Sequence, residues 1–269
     1  MGVPGAFDAG RALALATELA GMGPRDAGTP GDPVARAWLA DVWEAAGWTV
    51  FEESLELPQG GTTANVIAVR DPADVDAPHV VIGGHLDTRN QSPGANDNGS
   101  GIGVLVAIAE ALTRDLPIPV VLVGFGAEEY QPTEPRVHHL GSDAYADRHV
   151  QHVIAAFIVD MVGNGPATCI CWYDAGPQTL ADRLDAVAED QGLEGFHLEA
   201  RGDISDHGPF ARRRVPAAFL WTYDDGRYHT AADTHEHLDV VDLQRAGDLV
   251  LAFVRSLAEA DVAGLRADP

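Results

Sequence analysis

Short, nearly continuous apolar segments alternate along the chain with longer segments in which apolar residues recur at helical spacing. The short segments are typical of strands buried on both faces of a sheet, and the longer ones of amphipathic helices. We predict strands over residues 49–57, 65–69, 79–83, 120–125, 153–159, 168–173 and 217–220. We predict helices over residues 8–22, 34–46, 101–112, 178–191 and 242–260. This order predicts an α/β fold, a single-domain α/β/α sandwich over residues 1–269 with a largely parallel mixed sheet.

The balance of charged residues narrows the choice of partners. Of 269 residues, 41 are acidic and 17 are basic, which gives a formal net charge of −24. Nucleic-acid binding needs clustered basic residues, so we expect no nucleic-acid partner. No apolar segment approaches the roughly 18 residues of a membrane span, and residues 1–22 lack the basic start of a signal peptide. We therefore expect no membrane partner and a cytoplasmic protein, or a secreted one if an upstream segment is missing.

The two cysteines, Cys169 and Cys171, lie in a predicted strand, so their side chains point to the same face of the sheet. A chain of this length can bury a sizeable core without disulfides. We expect two small buried side chains, because a Cys-x-Cys metal pair would lack a second half.

Four of the predicted strands are followed by ionisable side chains near their C-terminal ends. In chain order these side chains are His85 and Asp87, Glu128 and Glu129, Asp160, and Tyr228 and His229. Burying a charge costs several kcal/mol unless the charge is paired or bound to a metal ion. Ligands of open α/β sheets also gather at the C-terminal ends of the strands. The four strand ends therefore call for one common explanation.

A metal centre is that explanation. Together with Asp97 in the loop over residues 94–101, the strand ends supply two histidines, at least three carboxylates and no basic residue. Imidazole and carboxylate groups suit zinc, and five protein ligands are more than one four-coordinate ion needs. Two ions bridged by one carboxylate and one water molecule would use all five.

Five motifs in this order resemble the signature of the bacterial leucyl aminopeptidase-like family of co-catalytic zinc exopeptidases. They are His85-x-Asp87, Gly94-x-x-Asp97-Asn-x-Ser-Gly101, Glu128-Glu129, Asp160 and His229-Thr-x-x-Asp233. Similar landmarks lie outside the motifs, among them Pro24-Arg25, Gly141-Ser142 and Ser205-Asp206-His207, so the match covers about residues 20–255. Relatives of this family include glutaminyl cyclases and glutamate carboxypeptidase.

The resemblance implies a centre of two zinc ions per chain. Its ligands would be His85, Asp97, Glu129, Asp160 and His229. Asp97 would bridge the two ions, Glu129 and His229 would complete one site, and His85 and Asp160 the other. In the family the peptide bond after the bridging aspartate is cis, which we expect here between Asp97 and Asn98.

Further roles follow from the same resemblance. Glu128 would be the general base, taking a proton from the metal-bridging water and returning it to the leaving amine. Asp87 would orient His85 by accepting its second ring N–H. Tyr228 matches a position that in some relatives hydrogen-bonds the developing oxyanion, with a packing role as the alternative. Asp233 is expected to be a structural partner of its own loop and not a ligand.

The leading hypothesis is a zinc-dependent aminopeptidase, a hydrolase that cleaves the N-terminal bond of a peptide or a small amide with a free amine. Residues 130–140 form a longer connection than is usual in the family, and glutaminyl cyclases also have a long one there. A glutaminyl cyclase-like aminoacyl transferase therefore stays open. We expect His138 and His139, which lie in this connection, to be surface residues.

Two further functions stay open on the same fold. A carboxypeptidase-type relative would need a basic pocket for the substrate carboxylate, and Arg136, Arg201 and residues 212–214 are the candidates. A non-catalytic binding module would need no chemistry at the cluster, although relatives of that kind usually lose ligands that are all present here.

Overall fold

The computed structural model describes residues 5–112, 116–130, 138–222 and 226–266. Within these ranges one eight-stranded mixed sheet has helices on both faces, which confirms the predicted α/β sandwich. The strands are β1 (Thr49–Glu56), β2 (Thr62–Val69), β3 (His79–His85), β4 (Val120–Phe125), β5 (Val153–Val159), β6 (Thr168–Tyr173), β7 (Phe196–Arg201) and β8 (Ala217–Thr222). The helices are α1 (Ala9–Gly21), α2 (Gly31–Ala45), α3 (Gly101–Ala111), α4 (Leu140–His149), α5 (Thr179–Gln191), α6 (His207–Arg212), α7 (Val240–Ser256) and α8 (Glu259–Arg266).

Parallel strands form the centre of the sheet, whose strand order is β1-β2-β4-β3-β5-β8-β6-β7. The four central strands, β4, β3, β5 and β8, are parallel, whereas β2 and β6 run antiparallel to the central strands beside them. In register, Ile82 of β3 lies between Leu122 of β4 and Phe157 of β5. Because the four central strands share one direction, their C-terminal ends meet at one edge of the sheet.

Side chains of the central strands alternate between two core layers. Val80 and Ile82 of β3 pack in a large apolar cluster to which α1, α2, α3, α5 and α7 all contribute. Val81 points to the opposite face and packs in a second cluster with Tyr145 of α4 and Phe210 of α6. Burial on both faces explains why these strands are continuous apolar segments in the sequence.

Some elements differ from the sequence-based expectation. The sequence does not predict β7, because this edge strand is mostly half-buried and has no continuous apolar segment. The prediction of one helix over residues 242–260 is wrong, since α7 ends at Ser256 and Leu257 is extended before α8 begins. No helix in the described part of the chain is both long and apolar enough to cross a bilayer.

The cysteines lie in β6. Both side chains are fully buried, as predicted, in the core layer that contains α4 and α6. Cys169 and Cys171 also form a disulfide, which the sequence does not predict.

Candidate metal centre and active site

The fold brings the ionisable side chains of the sequence motifs together at the C-terminal edge of the central strands. They are His85 at the end of β3, Glu128 and Glu129 after β4, Asp160 after β5, His229 after β8 and Asp97 in the loop before α3. All of them are buried except His229, whose side chain is 23% exposed. The expectation of one shared location for the four strand ends is confirmed.

Asp97 lies at the centre of the cluster. Its Oδ1 is 3.1 Å from Nε2 of His85, and its Oδ2 is 3.2 Å from Nε2 of His229. On one side, Oδ1 of Asp160 lies 3.4 Å from the same His85 nitrogen, and on the other, Glu129 Oε1 contacts the His229 nitrogen. Two groups of three donor atoms, each compact enough to hold one ion, therefore share the Asp97 carboxylate.

The loop that carries Asp97 is fixed from several directions. The peptide bond between Asp97 and Asn98 is cis, as the resemblance implies. The Asn98 amide donates to the carbonyl of Val159 at 2.8 Å and accepts from the backbone N–H of Met161 at 3.2 Å. Asn98 thus ties the loop to the residues that flank Asp160.

Asp233 supports the loop that carries Asp97. This contact differs from the expectation that Asp233 is a structural partner of its own loop. Its two carboxylate oxygens accept hydrogen bonds from the backbone N–H groups of Asn96 at 2.8 Å and Asp97 at 3.0 Å. The two residues are more than 130 positions from Asp233 in the chain, so the sequence alone does not reveal this contact.

Arg25 is a supporting residue to which the sequence assigned no role. Its buried guanidinium donates to the backbone carbonyls of Leu86, Pro93 and Gly94 at 2.5, 2.7 and 2.8 Å. It therefore clamps the segment after His85 to the start of the Asp97 loop. The sequence signal that pointed to Arg25 was the Pro24-Arg25 landmark of the family.

Asp87 makes different contacts from those expected. Its carboxylate lies 3.7 Å from Nδ1 of His85, whereas its backbone carbonyl is nearer to that nitrogen, at 3.1 Å. The carboxylate instead accepts the backbone N–H groups of Glu128 at 3.0 Å and Glu129 at 3.1 Å. The side chain of Asp87 therefore positions the glutamate pair, and its main chain orients His85.

The expectation that His139 is a surface residue is wrong. The residue is only 5% exposed, and its Nε2 lies 3.1 Å from Oε1 of Glu128. Its neighbour His138 is half-buried, with its ring centroid 5.7 Å from that of His139. The end of the long connection thus folds into the site.

Tyr228 is partly exposed and lies beside the candidate metal ligands. The centroid of its ring lies 4.2 Å from that of the His229 imidazole, so in this structure Tyr228 packs against His229. The oxyanion role of Tyr228 stays a prediction.

The buried carboxyl groups repel one another. Burial, together with the nearby charge of Glu128, raises the pKa of both Asp87 and Glu129 to about 8. Burial also raises the pKa of Asp160, whose Oδ1 accepts no hydrogen bond from the described residues. Burial alone would lower the pKa of His229, but its contacts with carboxylates raise it to about 9. A divalent cation would offset this repulsion, and the mixed imidazole and carboxylate donors fit zinc.

The cluster opens into a cavity of about 400 Å³. Its lining includes the acidic side chains of Glu128, Glu129 and Asp203, and the apolar or aromatic side chains of Met161, Ile204, Phe219, Trp221 and Tyr228. The cavity can thus hold a positively charged group next to an apolar one.

A family model described as Peptidase family M28 matches residues 65–254, more than half of the chain, and includes all five motifs. The chain belongs to peptidase family M28. This M28 chain is 32% identical to aminopeptidase YwaD of Bacillus subtilis (strain 168) over 210 residues, 72% of the chain and 44% of YwaD. It is 25% identical over 256 residues to YfbL of Escherichia coli (strain K12), an uncharacterized protein, over 81% of the chain and 78% of YfbL. The chain therefore spans less than half the length of YwaD.

Solved structures share the M28 fold. BSAP, a zinc aminopeptidase from Bacillus subtilis, has a TM-score of 0.83 and 19% identity, covering 92% of this chain and 94% of BSAP. Porphyromonas gingivalis glutaminyl cyclase has a TM-score of 0.78 and 25% identity, and the match covers 93% of this chain and 98% of the cyclase chain. Since both kinds of enzyme share this fold, the fold alone does not separate the two activities.

Proposed function

We propose that this M28 chain is an aminopeptidase that uses two zinc ions and Glu128 as its general base. The observation that carries the proposal is the Asp97 carboxylate, whose two oxygens face His85 and His229 respectively. A carboxylate shared between two donor groups is what a centre of two metal ions requires.

The same geometry supports the proposed assignment of ligands. His85 and Asp160 would hold one ion, Glu129 and His229 the other, and Asp97 would be common to both. When bound, the two ions would polarise the scissile carbonyl and lower the pKa of water at the site.

In this proposal Glu128 moves the proton in the hydrolysis. Its buried carboxylate lies beside both donor groups, yet its Oε1 is engaged by His139. A carboxylate that binds no ion can accept a proton from the attacking water and deliver it to the leaving nitrogen as the C–N bond breaks. Asp87 holds the backbone of Glu128 and Glu129, which keeps the base at a fixed position relative to the ligands.

The charge of the cavity supports a substrate with a free amine. Among the described residues that line the cavity there is no arginine or lysine that could pair with a substrate carboxylate, whereas three acidic side chains besides Asp97 and Asp160 line it. Of the basic candidates for a carboxypeptidase-type pocket, Arg201 contacts Glu199 and Arg212 contacts Asp203. Arg136 lies outside the described residues. The apolar side chains of the lining would receive the side chain of the N-terminal residue.

A mass-spectrometric screen of a peptide library with zinc-loaded protein tests this proposal. We expect loss of single N-terminal residues, together with two zinc ions per chain in elemental analysis. Loss of ammonia from peptides that begin with glutamine, with about one zinc per chain, would instead identify a cyclase. Loss of C-terminal residues would identify a carboxypeptidase, and a protein that takes up no zinc and changes no peptide would identify a binding module.

A further inference from the structure

His139 lies between two carboxylates at the inner end of the long connection. Its Nε2 is 3.1 Å from Oε1 of Glu128, and its Nδ1 is 3.5 Å from Oδ1 of Asp203. Asp203 is in turn paired with Arg212 at the surface of the molecule. A chain of alternating charges therefore runs from the surface to the general base.

The backbone of His139 is held as firmly as its ring. The residue adopts left-handed dihedral angles, with φ 58° and ψ 35°, directly before α4 begins. Its N–H donates to the carbonyl of Glu128 at 3.2 Å, and its own carbonyl accepts from the hydroxyl of Ser142 at 3.2 Å. Such a conformation is uncommon for a residue with a side chain and is kept only where surrounding contacts impose it.

The ring is suited to act as a cation. Both nitrogens face carboxylate oxygens, and only the protonated imidazole can donate from both at once. Burial alone would lower the pKa of His139, but its contacts with Asp203 and Glu128 raise it to about 10. At neutral pH the ring can therefore donate a charge-assisted hydrogen bond to Glu128.

Glu128 can also reach a second position, in which it would not act as a base. Donor atoms of His85, Glu128 and Glu129 lie within 4.8 Å of one another, so the Glu128 carboxylate is within reach of a position where it would act as a third ligand. A carboxylate that binds a metal ion no longer faces the water whose proton it should take.

We infer that His139 is a positioning residue that holds the Glu128 carboxylate as a base and keeps it from becoming a metal ligand. The inference rests on the proposed function for its catalytic meaning. The carboxylate of Asp203 lies 3.5 Å from the ring nitrogen that faces away from Glu128, so its negative charge favours the protonated ring.

The kinetic test compares zinc-loaded wild type with His139→Ala and His139→Gln, using a peptide cleaved in the library screen. In His139→Ala we expect kcat to fall by about 10²-fold with a nearly unchanged KM and zinc content, because the base is misplaced. His139→Gln can still donate one hydrogen bond to Glu128, so we expect its kcat to be about tenfold higher than that of His139→Ala. A His139→Ala enzyme with wild-type kcat would overturn the inference.

A matched control is His149→Ala. His149 lies at the other end of α4 and also pairs with a glutamate, Glu53, at 2.8 Å, but it does not line the cavity. We expect wild-type kcat in this variant. If His139→Ala does not fold, as judged by circular dichroism, Asp203→Asn replaces it, with an expected several-fold fall in kcat.

Crystal structures of the zinc-loaded proteins test the inference without activity. In the wild type we expect Glu128 to contact His139, and in His139→Ala we expect its carboxylate at about 2.0–2.2 Å from zinc. Zinc bound by Glu128 in the wild type, or an unmoved Glu128 in the variant, would overturn the inference. A wild type that cleaves no peptide would contradict the proposed function, while the two structures would still decide the role of His139.

Discussion

Among the residues that the structure describes, side chains of the types that bind metal ions meet at two places. The first is the Asp97 cluster at the C-terminal edge of the central strands. The second lies across β6 and β7, where donor atoms of Cys169, His197 and Glu199 come within 4.8 Å of one another. In the second group, Cys169 is bonded to Cys171, Glu199 contacts Arg201 at 3.0 Å, and about a third of the Glu199 side chain is exposed.

The difference between the two groups lies in what surrounds the donors. In the Asp97 cluster, the backbone N–H groups of Asp97 and Glu129 are held by the buried carboxylates of Asp233 and Asp87. In the β6–β7 group, a disulfide occupies the sulfur and an arginine neutralises the carboxylate. Donor type and proximity are therefore common to both groups. Of the two, only the Asp97 cluster combines donor atoms free of covalent bonds with buried, fixed positions, and Arg89 approaches its Glu129 only to 3.9 Å.

Removal of metal ions should have the largest effect. After chelation we expect complete loss of peptidase activity and a fall in Tm of at least about 5 °C, because the ions bind only the native state. Zinc should restore activity at two equivalents per chain, as followed by titration and thermal denaturation. A third tightly bound equivalent would contradict the comparison, since the β6–β7 group would then also hold an ion.

Loss of the base should have the next largest effect. Glu128→Gln keeps the shape of the side chain but cannot take up a proton, so we expect kcat to fall by about 10²–10⁴-fold. Elemental analysis should still find two zinc ions per chain. Glu110→Gln, which alters a glutamate paired with Arg11 outside the cluster, is the matched control and should keep wild-type kcat. Full activity of Glu128→Gln would remove the main support for the proposed mechanism.

The sequence predicted the cluster because polarity at a strand end is a local signal. His85 and Asp160 end or follow apolar segments that are readable without any structure, and parallel strands bring such ends together. The resemblance supplied the individual roles, which strand patterns alone do not distinguish.

Contacts between distant segments could not be predicted in this way. The burial of His139 depends on how the end of a long connection packs against Glu128, and no periodic pattern encodes that. The same holds for the carboxylate of Asp233, which reaches the backbone of the Asp97 loop across the site. The edge strand β7 was missed for a different reason, since its half-buried side chains lack a strong apolar signal.

Weakening one support of the Asp97 loop should have a smaller effect than losing the base. In Asp233→Asn one oxygen becomes an amino group that faces a backbone N–H, so the loop loses one of its two hydrogen bonds from this residue. We expect zinc affinity to fall by about 10–100-fold in competition with a chelator, with activity restored at high zinc. Asp248→Asn in α7, whose carboxylate accepts from Gln244, is the control. Unchanged zinc affinity in Asp233→Asn would show that the loop holds Asp97 without this support.

Changes in the β6–β7 group should have the smallest effect. Glu199→Gln removes the charge that faces Arg201, and a partly exposed ion pair of this kind contributes little to stability, so we expect a change within about 0.5 kcal/mol in the free energy of unfolding. Zinc content and kcat/KM should match the wild type. Loss of one zinc equivalent in this variant would mean that proximity of donor types is enough to bind the ion, and burial and fixed positions would then no longer explain the difference between the two groups.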